Sequence, residues 1–173
     1  NIEYIVGIGR LTKQKNFKFL VNFFINISNK YKDIHLVIIG EGEENDLLKK
    51  IISRANIKNR VHLLGYQDNV FKFLIRAKCF ILSSLWEDPG FVLVEAALTN
   101  TSIISSNCPN GPKEIIQSNG YLFENNSVDD LTIKFEEFLK TSDNTIYLNK
   151  LELKKRIRIF AQYNHYKNLN EII

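Results

Sequence analysis

Four charged residues carry the most chemistry in this chain: Arg10 and Lys15 behind the first apolar run, and Glu87 and Glu95 around Asp88-Pro89-Gly90-Phe91-Val92-Leu93-Val94. Proline suits the first turn of a helix, where its missing N–H has no intrahelical partner anyway. A helix is therefore expected to open at or near Pro89 and Gly90. The free amides of its first turn, with the positive end of the helix dipole, form an anion site. Glu87 lies just ahead of that site and Glu95 about two turns into the helix, so two carboxylates flank a place built for negative charge. A ligand with phosphates for the amides and hydroxyls for the carboxylates resolves the conflict, and a nucleotide sugar has both. Glu95, among Val94, Ala96 and Ala97, is placed to accept both hydroxyl hydrogens of a ribose. Glu87, nearer the helix start, would face the sugar.

Arg10 and Lys15 supply the opposite charge. Arginine offers a planar fork matched to phosphate oxygens and lysine a mobile point charge, so the two together neutralise a diphosphate. Taken alone they also fit a solvated basic helix start, and Lys13 and Lys18 need not point inward. Trp86 either lines the site or fills the core.

Other chemistries find little support. Gly7-Ile8-Gly9 lacks the GxGxxG spacing of a dinucleotide site, no acidic residue closes the second apolar run, and the P-loop pattern is missing. His35, His62 and His165 are scattered and stand at ligand spacing from neither Cys79 nor Cys108, so no metal site is expected and each reads as structural or exposed. Cys108, in a loop, reads as an incidental thiol. No Ser, His and Asp arrangement can be assembled.

These residues need a scaffold. Apolar runs without polar alternation at 4–8, 34–39, 61–64, 79–82, 102–105 and 120–123 read as six strands. Helical segments follow them at 16–31, 43–55, 69–77, from Pro89 to about Thr99, at 113–117 and at 128–140, with two more at 146–161 and 163–173. Buried strands alternating with helices predict a doubly wound α/β domain with a parallel six-stranded sheet. In such sheets ligands sit outside the carboxyl ends of the strands, where the strand order reverses. The segments with unusual chemistry (Gly9-Arg10, residues 40–42, 87–91 and 107–113) all follow strands, so they can meet on one rim.

Composition sets outer bounds. The chain has 173 residues, 45% hydrophobic and 24% charged, ordinary for one globular domain. No apolar run approaches the ~20 residues of a membrane span, and residues 1–9 do not resemble a signal peptide. Two cysteines exclude a disulfide framework and suit a reducing compartment, so a cytoplasmic location is expected. A net charge of +4 favours anionic partners.

The set Gly9-Arg10-Leu11 with Lys15, Gly40-Glu41-Gly42, Leu63-Leu64-Gly65, Ser83-Ser84, Glu87 to Glu95 and Pro109-Asn110-Gly111-Pro112-Lys113-Glu114-Ile115 resembles the C-terminal, donor-binding half of a family 4 (group 1) retaining glycosyltransferase of GT-B architecture. The resemblance implies a nucleotide-diphosphate-sugar donor, no bound metal and no cofactor. It places Arg10 and Lys15 at the diphosphate, Glu87 at the donor sugar and Glu95 at the ribose. Amides near Phe91, Val92 and Leu93 complete the phosphate cradle, with Gly9 and Gly90 beside them. Arg10, Lys15 and Glu87 are the residues it implicates in the reaction. Where the family has Gly-Phe-Gly after the first glutamate, this chain has Asp88-Pro89-Gly90, so Pro89 removes one donor. The loop Cys108-Pro109-Asn110-Gly111-Pro112 resembles members that use UDP-N-acetylhexosamines; a UDP-hexose is the other donor expected. The acceptor expected is a glycan or a lipid-linked sugar, held by an N-terminal domain to which nothing here corresponds. The chain thus reads as a donor-binding fragment over residues 1–173, inactive alone, whose residues 163–173 would cross back onto the other half. Two rival readings are a nucleotide-sugar epimerase of the same fold and a non-enzymatic anion or nucleic-acid binder. The rival binder would use basic patches at Lys49, Lys50, Arg54, Lys58 and Arg60 and at Lys150, Lys154, Lys155, Arg156 and Arg158; in a glycosyltransferase the same patches would dock on anionic membrane and no nucleic acid would bind.

Overall fold

The computed structural model describes residues 2–88 and 90–160. Six parallel strands, β1 (Glu3–Ile8), β2 (Ile34–Ile39), β3 (Val61–Leu63), β4 (Cys79–Leu82), β5 (Ile103–Ser106) and β6 (Tyr121–Phe123), form one sheet in the order β3-β2-β1-β4-β5-β6. The helices are α1 (Phe17–Ser28), α2 (Asn45–Arg54), α3 (Phe71–Leu74), α4 (Phe91–Leu98), α5 (Pro112–Ile116), α6 (Val128–Lys140) and α7 (Asp143–Arg156), followed by a 3-10 turn, Ile157–Phe160. The doubly wound α/β class read from the sequence is the one observed. Among the described residues no helix is long and apolar enough to cross a membrane.

Strand side chains alternate between two cores, as the period of two requires. Ile5, Leu36, Ile38, Ile81 and Ile104 face α1, α2 and α6, meeting Phe23, Phe24, Leu48 and Phe135. Val6, Val37, Ile39, Phe80, Leu82 and Ile103 face the other way, onto Leu74 of α3, Leu93 and Ala96 of α4, Ile115 of α5 and Leu153 of α7. Burial on both faces explains why these strands carry uninterrupted Val, Ile and Leu.

β1 is the pivot. It pairs with β2 along its whole length and, on its other edge, with β4 through Ile5↔Cys79 and Val6↔Phe80. The strand order reverses between β1 and β4, so the loops leaving their carboxyl ends part to opposite faces and leave a crevice between them.

Several boundaries move. α1 spans Phe17–Ser28 and not the expected 16–31, with Lys15 in the loop before it. α3 is a single turn, shorter than the expected 69–77. α7 begins three residues earlier than expected because Ser142 accepts a capping bond from the Thr145 amide at 3.2 Å, the usual role of a serine at that position. α4 opens at Phe91 behind Gly90, whose φ of 81° is a conformation that costs glycine nothing and β-carbon-bearing residues about 1 kcal/mol or more. The helix expected at 163–173 lies outside the described residues.

Candidate functional site

Four loops meet where β1 and β4 end. The Gly9 amide donates to the Ile39 carbonyl at 3.0 Å and the Leu11 amide to the Glu41 carbonyl at 2.8 Å, which ties the β1–α1 loop to the β2–α2 turn. Gly40 permits that contact, since a β-carbon there would lie 1.9 Å from the Gly9 carbonyl oxygen. On the other side, the Leu85 amide donates to the Gln14 carbonyl at 2.8 Å, the Gln14 side chain to the Trp86 carbonyl at 3.0 Å, and the Ser83 hydroxyl to the Lys15 carbonyl at 2.8 Å. The Glu87 amide donates to the Pro109 carbonyl at 3.1 Å and so brings in the β5–α5 loop. The expectation that these segments share one rim is met by a lattice of main-chain bonds.

Lys15 and Glu87 touch within that lattice. Lys15 Nζ lies 2.6 Å from Glu87 Oε1 and 2.8 Å from Oε2, with side-chain exposures of 16% and 3%. The Ser84 hydroxyl donates to Oε1 at 2.5 Å. A carboxylate has about four acceptor positions, so Oε1 is filled by Ser84 and Lys15, and Oε2 keeps one. An ammonium has three donors, of which Glu87 takes two, and the third has no partner among the described residues. Burying two charges this deeply stabilises little by itself, since desolvation offsets most of the attraction. What the pair secures is geometry.

The sequence reading set two cations against two carboxylates flanking the anion site. The structure instead matches Lys15 with Glu87 inside the wall and leaves Arg10 exposed on the same loop, its guanidinium without a partner among the described residues. Glu87 is only 2% exposed, so what it can offer a sugar is the one acceptor position on Oε2. Glu95 is half-buried in α4, its carboxylate has no partner among the described residues, and burial pushes it above the usual carboxylate range. In the first turn of α4 the Phe91 and Val92 amides precede any intrahelical acceptor, whereas the Leu93 amide already donates to the Gly90 carbonyl at 2.9 Å. The expected cradle therefore narrows to Phe91 and Val92. Lys13 and Lys18 are exposed, and Trp86, at 45% exposure, lies outside the core.

Two readings need correction. His35 and His62 are not scattered: neighbouring strands β2 and β3 stack their rings, with His35 Nδ1 and His62 Nε2 2.9 Å apart, and burial with its neighbours' charge lowers the His35 pKa. His165 lies outside the described residues. Arg60 does not belong to a solvated patch, since its guanidinium caps the carbonyls of Ser28, Tyr31 and Ile34. Cys108 is buried, which raises its thiol pKa and fits the incidental role. Among the described residues no group of three or more His, Cys, Asp or Glu could hold a metal ion. The residue that sequence reasoning passed over is Ser84, seen only as a strand end. Its signal was the spacing Ser84-Leu85-Trp86-Glu87, which returns a hydroxyl to a carboxylate three residues on.

Comparison with known proteins places this geometry. The family described as glycosyl transferases group 1 matches residues 2–161. An uncharacterized glycosyltransferase of Methanocaldococcus jannaschii is 43% identical over 111 residues, 64% of this chain and 27% of that protein. The Escherichia coli UDP-Gal:alpha-D-GlcNAc-diphosphoundecaprenol alpha-1,3-galactosyltransferase is 30% identical over 170 residues, 95% of this chain and 43% of that protein. Among solved structures, a Staphylococcus aureus TarM mutant in complex with fondaparinux, alpha-GlcNAc-glycerol and UDP superposes with a TM-score of 0.86 at 26% identity, covering 98% of this chain and 35% of that one. The chain thus spans less than half the length of the curated relatives it matches.

Proposed function

The chain belongs to the group 1 glycosyl transferases, of GT-B architecture, and from that premise we propose that it is the donor-binding half of a retaining, family 4 enzyme. Its donor is a UDP-N-acetylhexosamine or a UDP-hexose, and its acceptor a glycan or lipid-linked sugar bound by the other half. The observation that carries the reading is the Lys15–Glu87 couple set beside Arg10 and the first turn of α4 at the strand-order reversal. UDP in the TarM complex and in the name of the Escherichia coli relative supports the base. Arg10 and the third Lys15 donor take the diphosphate with the Phe91 and Val92 amides, beside Gly9 and Gly90. Glu95 takes the ribose, and Oε2 of Glu87 one sugar hydroxyl. As the bond from sugar to phosphate breaks, charge builds on the leaving diphosphate, and Arg10, Lys15 and the helix terminus stabilise it where a divalent metal would otherwise be needed. In this reading the chain alone binds donor without turnover. Exposed Lys49, Lys50, Arg54 and Lys58 support docking of a cytoplasmic enzyme on anionic lipid.

A thermal-shift series with UDP, UDP-N-acetylglucosamine, UDP-glucose and NAD tests it. At a hundredfold excess over Kd a ligand adds about 2.7 kcal/mol, or about 5 to 11 °C in Tm for a chain of this size. Shifts of that order with the uridine ligands and none with NAD are expected. A shift with NAD alone, or with none of the four, refutes the reading.

A further inference from the structure

Ser84 is fully buried just past the end of β4, and it is gripped from both sides. Its carbonyl accepts the Ser106 hydroxyl at 2.7 Å, from the neighbouring strand β5, and its own hydroxyl donates to Glu87 Oε1 at 2.5 Å. A buried serine does not need a carboxylate to satisfy itself. Ser105, equally buried one strand over, donates to the main-chain carbonyl of Ser106 at 3.0 Å. Ser83, adjacent in sequence, holds the Lys15 carbonyl. Consecutive serines thus fix the main chain of Lys15 and the counter-ion of its ammonium.

That arrangement answers a physical problem. A lysine carries a long, rotamer-rich stem, and placing its ammonium at one point costs conformational entropy unless something already holds it. Glu87 can hold it only if its carboxylate does not rotate. With Oε1 saturated by Ser84 and Lys15, turning the carboxylate would break a hydrogen bond to a buried charge. We infer that Ser84 is a positioning residue of the donor site: its hydroxyl locks the Glu87 carboxylate, and through it sets where Lys15 Nζ presents its third N–H to a diphosphate. The inference rests on the donor-site reading given above and adds to it a residue that touches no ligand.

Calorimetry with UDP and with uridine, on the parent chain, Ser84→Ala, Glu87→Gln and the double variant, tests the assignment. Ser84→Ala should weaken UDP about 5- to 10-fold, about 1 to 1.4 kcal/mol, while leaving uridine, which lacks phosphates, unchanged. In the Glu87→Gln background the same substitution should change UDP affinity less than about twofold, because no carboxylate remains to hold the Lys15 ammonium. Equal losses in both backgrounds, equal losses for UDP and uridine, or no loss at all would overturn it. If Ser84→Ala fails to fold, Ser84→Cys, similar in size and a weak donor, takes its place under the same criteria. A parent chain that binds no UDP overturns the donor-site reading and this assignment with it. A parent that binds UDP as tightly as Ser84→Ala overturns this assignment alone.

Discussion

Replacing Lys15 by Met and replacing Glu87 by Gln should cost the fold very different amounts, although each breaks the same ion pair. In Lys15→Met the carboxylate of Glu87, at 3% side-chain exposure, keeps only the Ser84 hydroxyl and little contact with water. An uncompensated buried charge of this kind costs about 3 to 5 kcal/mol. In Glu87→Gln the amide oxygen still accepts from Ser84, and Lys15, at 16% exposure on a flexible stem, can turn its ammonium to solvent. The loss there is a charged hydrogen bond, about 1.5 to 3 kcal/mol at most. Lys15→Met with Glu87→Gln buries no charge, so it should lie within about 1 kcal/mol of Glu87→Gln alone, a coupling of about 3 to 5 kcal/mol. Urea denaturation measures this directly. With a slope of about 2 kcal/mol per M, Lys15→Met should lower the midpoint by about 1.5 to 2.5 M and the double variant by clearly less. Equal midpoints for the single variants, or a double variant that loses the sum of both, would refute the account of a neutralised, buried couple.

Arg10→Ala should weaken UDP about 10- to 150-fold by calorimetry, the loss of one charge-assisted contact of about 1.5 to 3 kcal/mol, with urea stability unchanged because the side chain is exposed and unpartnered among the described residues. Glu95→Gln should weaken uridine and UDP but not pyrophosphate. It should also stabilise the ligand-free fold at neutral pH: burial raises the Glu95 pKa in the folded chain, so this group's contribution to stability is fully present below the ordinary glutamate pKa and is lost as pH rises through the raised value, a loss glutamine escapes. Denaturation curves of parent and variant that run parallel from pH 4 to 8 would count against that. Cys79 and Cys108 should both stay silent to a thiol reagent at neutral pH until the chain unfolds, since both are buried with raised pKa values; fast labelling of either in the native protein would contradict the burial.

The sequence disclosed most where one kind of force acts alone. β2 and β4 run over the residues expected because their apolar runs are near-continuous, buried and bounded by turns, and α6 does so because Leu131, Phe135 and Phe138 recur at helical spacing. α7 was misplaced at its start because it buries little besides Leu153, so its beginning is set by the Ser142 cap and not by an apolar stripe. Pairings across the sheet are a different matter. His35 meets His62, and Arg60 finds the carbonyls closing α1, through strand order that no local pattern encodes. The site shows both cases. Residue type and position after a strand were enough to bring Lys15 and Glu87 together, with Arg10 on the same loop as Lys15, while Glu95 lies just over one turn into α4. Which cation would be spent on which carboxylate depended on the β1–β4 crevice and on Ser84.

On the donor-site reading proposed above, that division of labour changes how the anion site works. Two free cations would attract a diphosphate strongly but hold it loosely, each on its own mobile stem. With Lys15 matched by Glu87 the couple carries no net charge, so the attraction falls to Arg10 and to the dipole of α4, while Lys15 contributes one donor at a fixed point. A donor that need not be reorganised as negative charge grows on the leaving group favours the transition state over the bound substrate, which a loosely held lysine would not. The desolvation that makes the pair a poor source of stability also holds it rigid from the Glu87 side, because that carboxylate, at 3% side-chain exposure, has little water to turn to. Glu95 follows the same logic with the opposite partner: on that reading a ribose would supply the donors that its half-buried carboxylate lacks among the described residues.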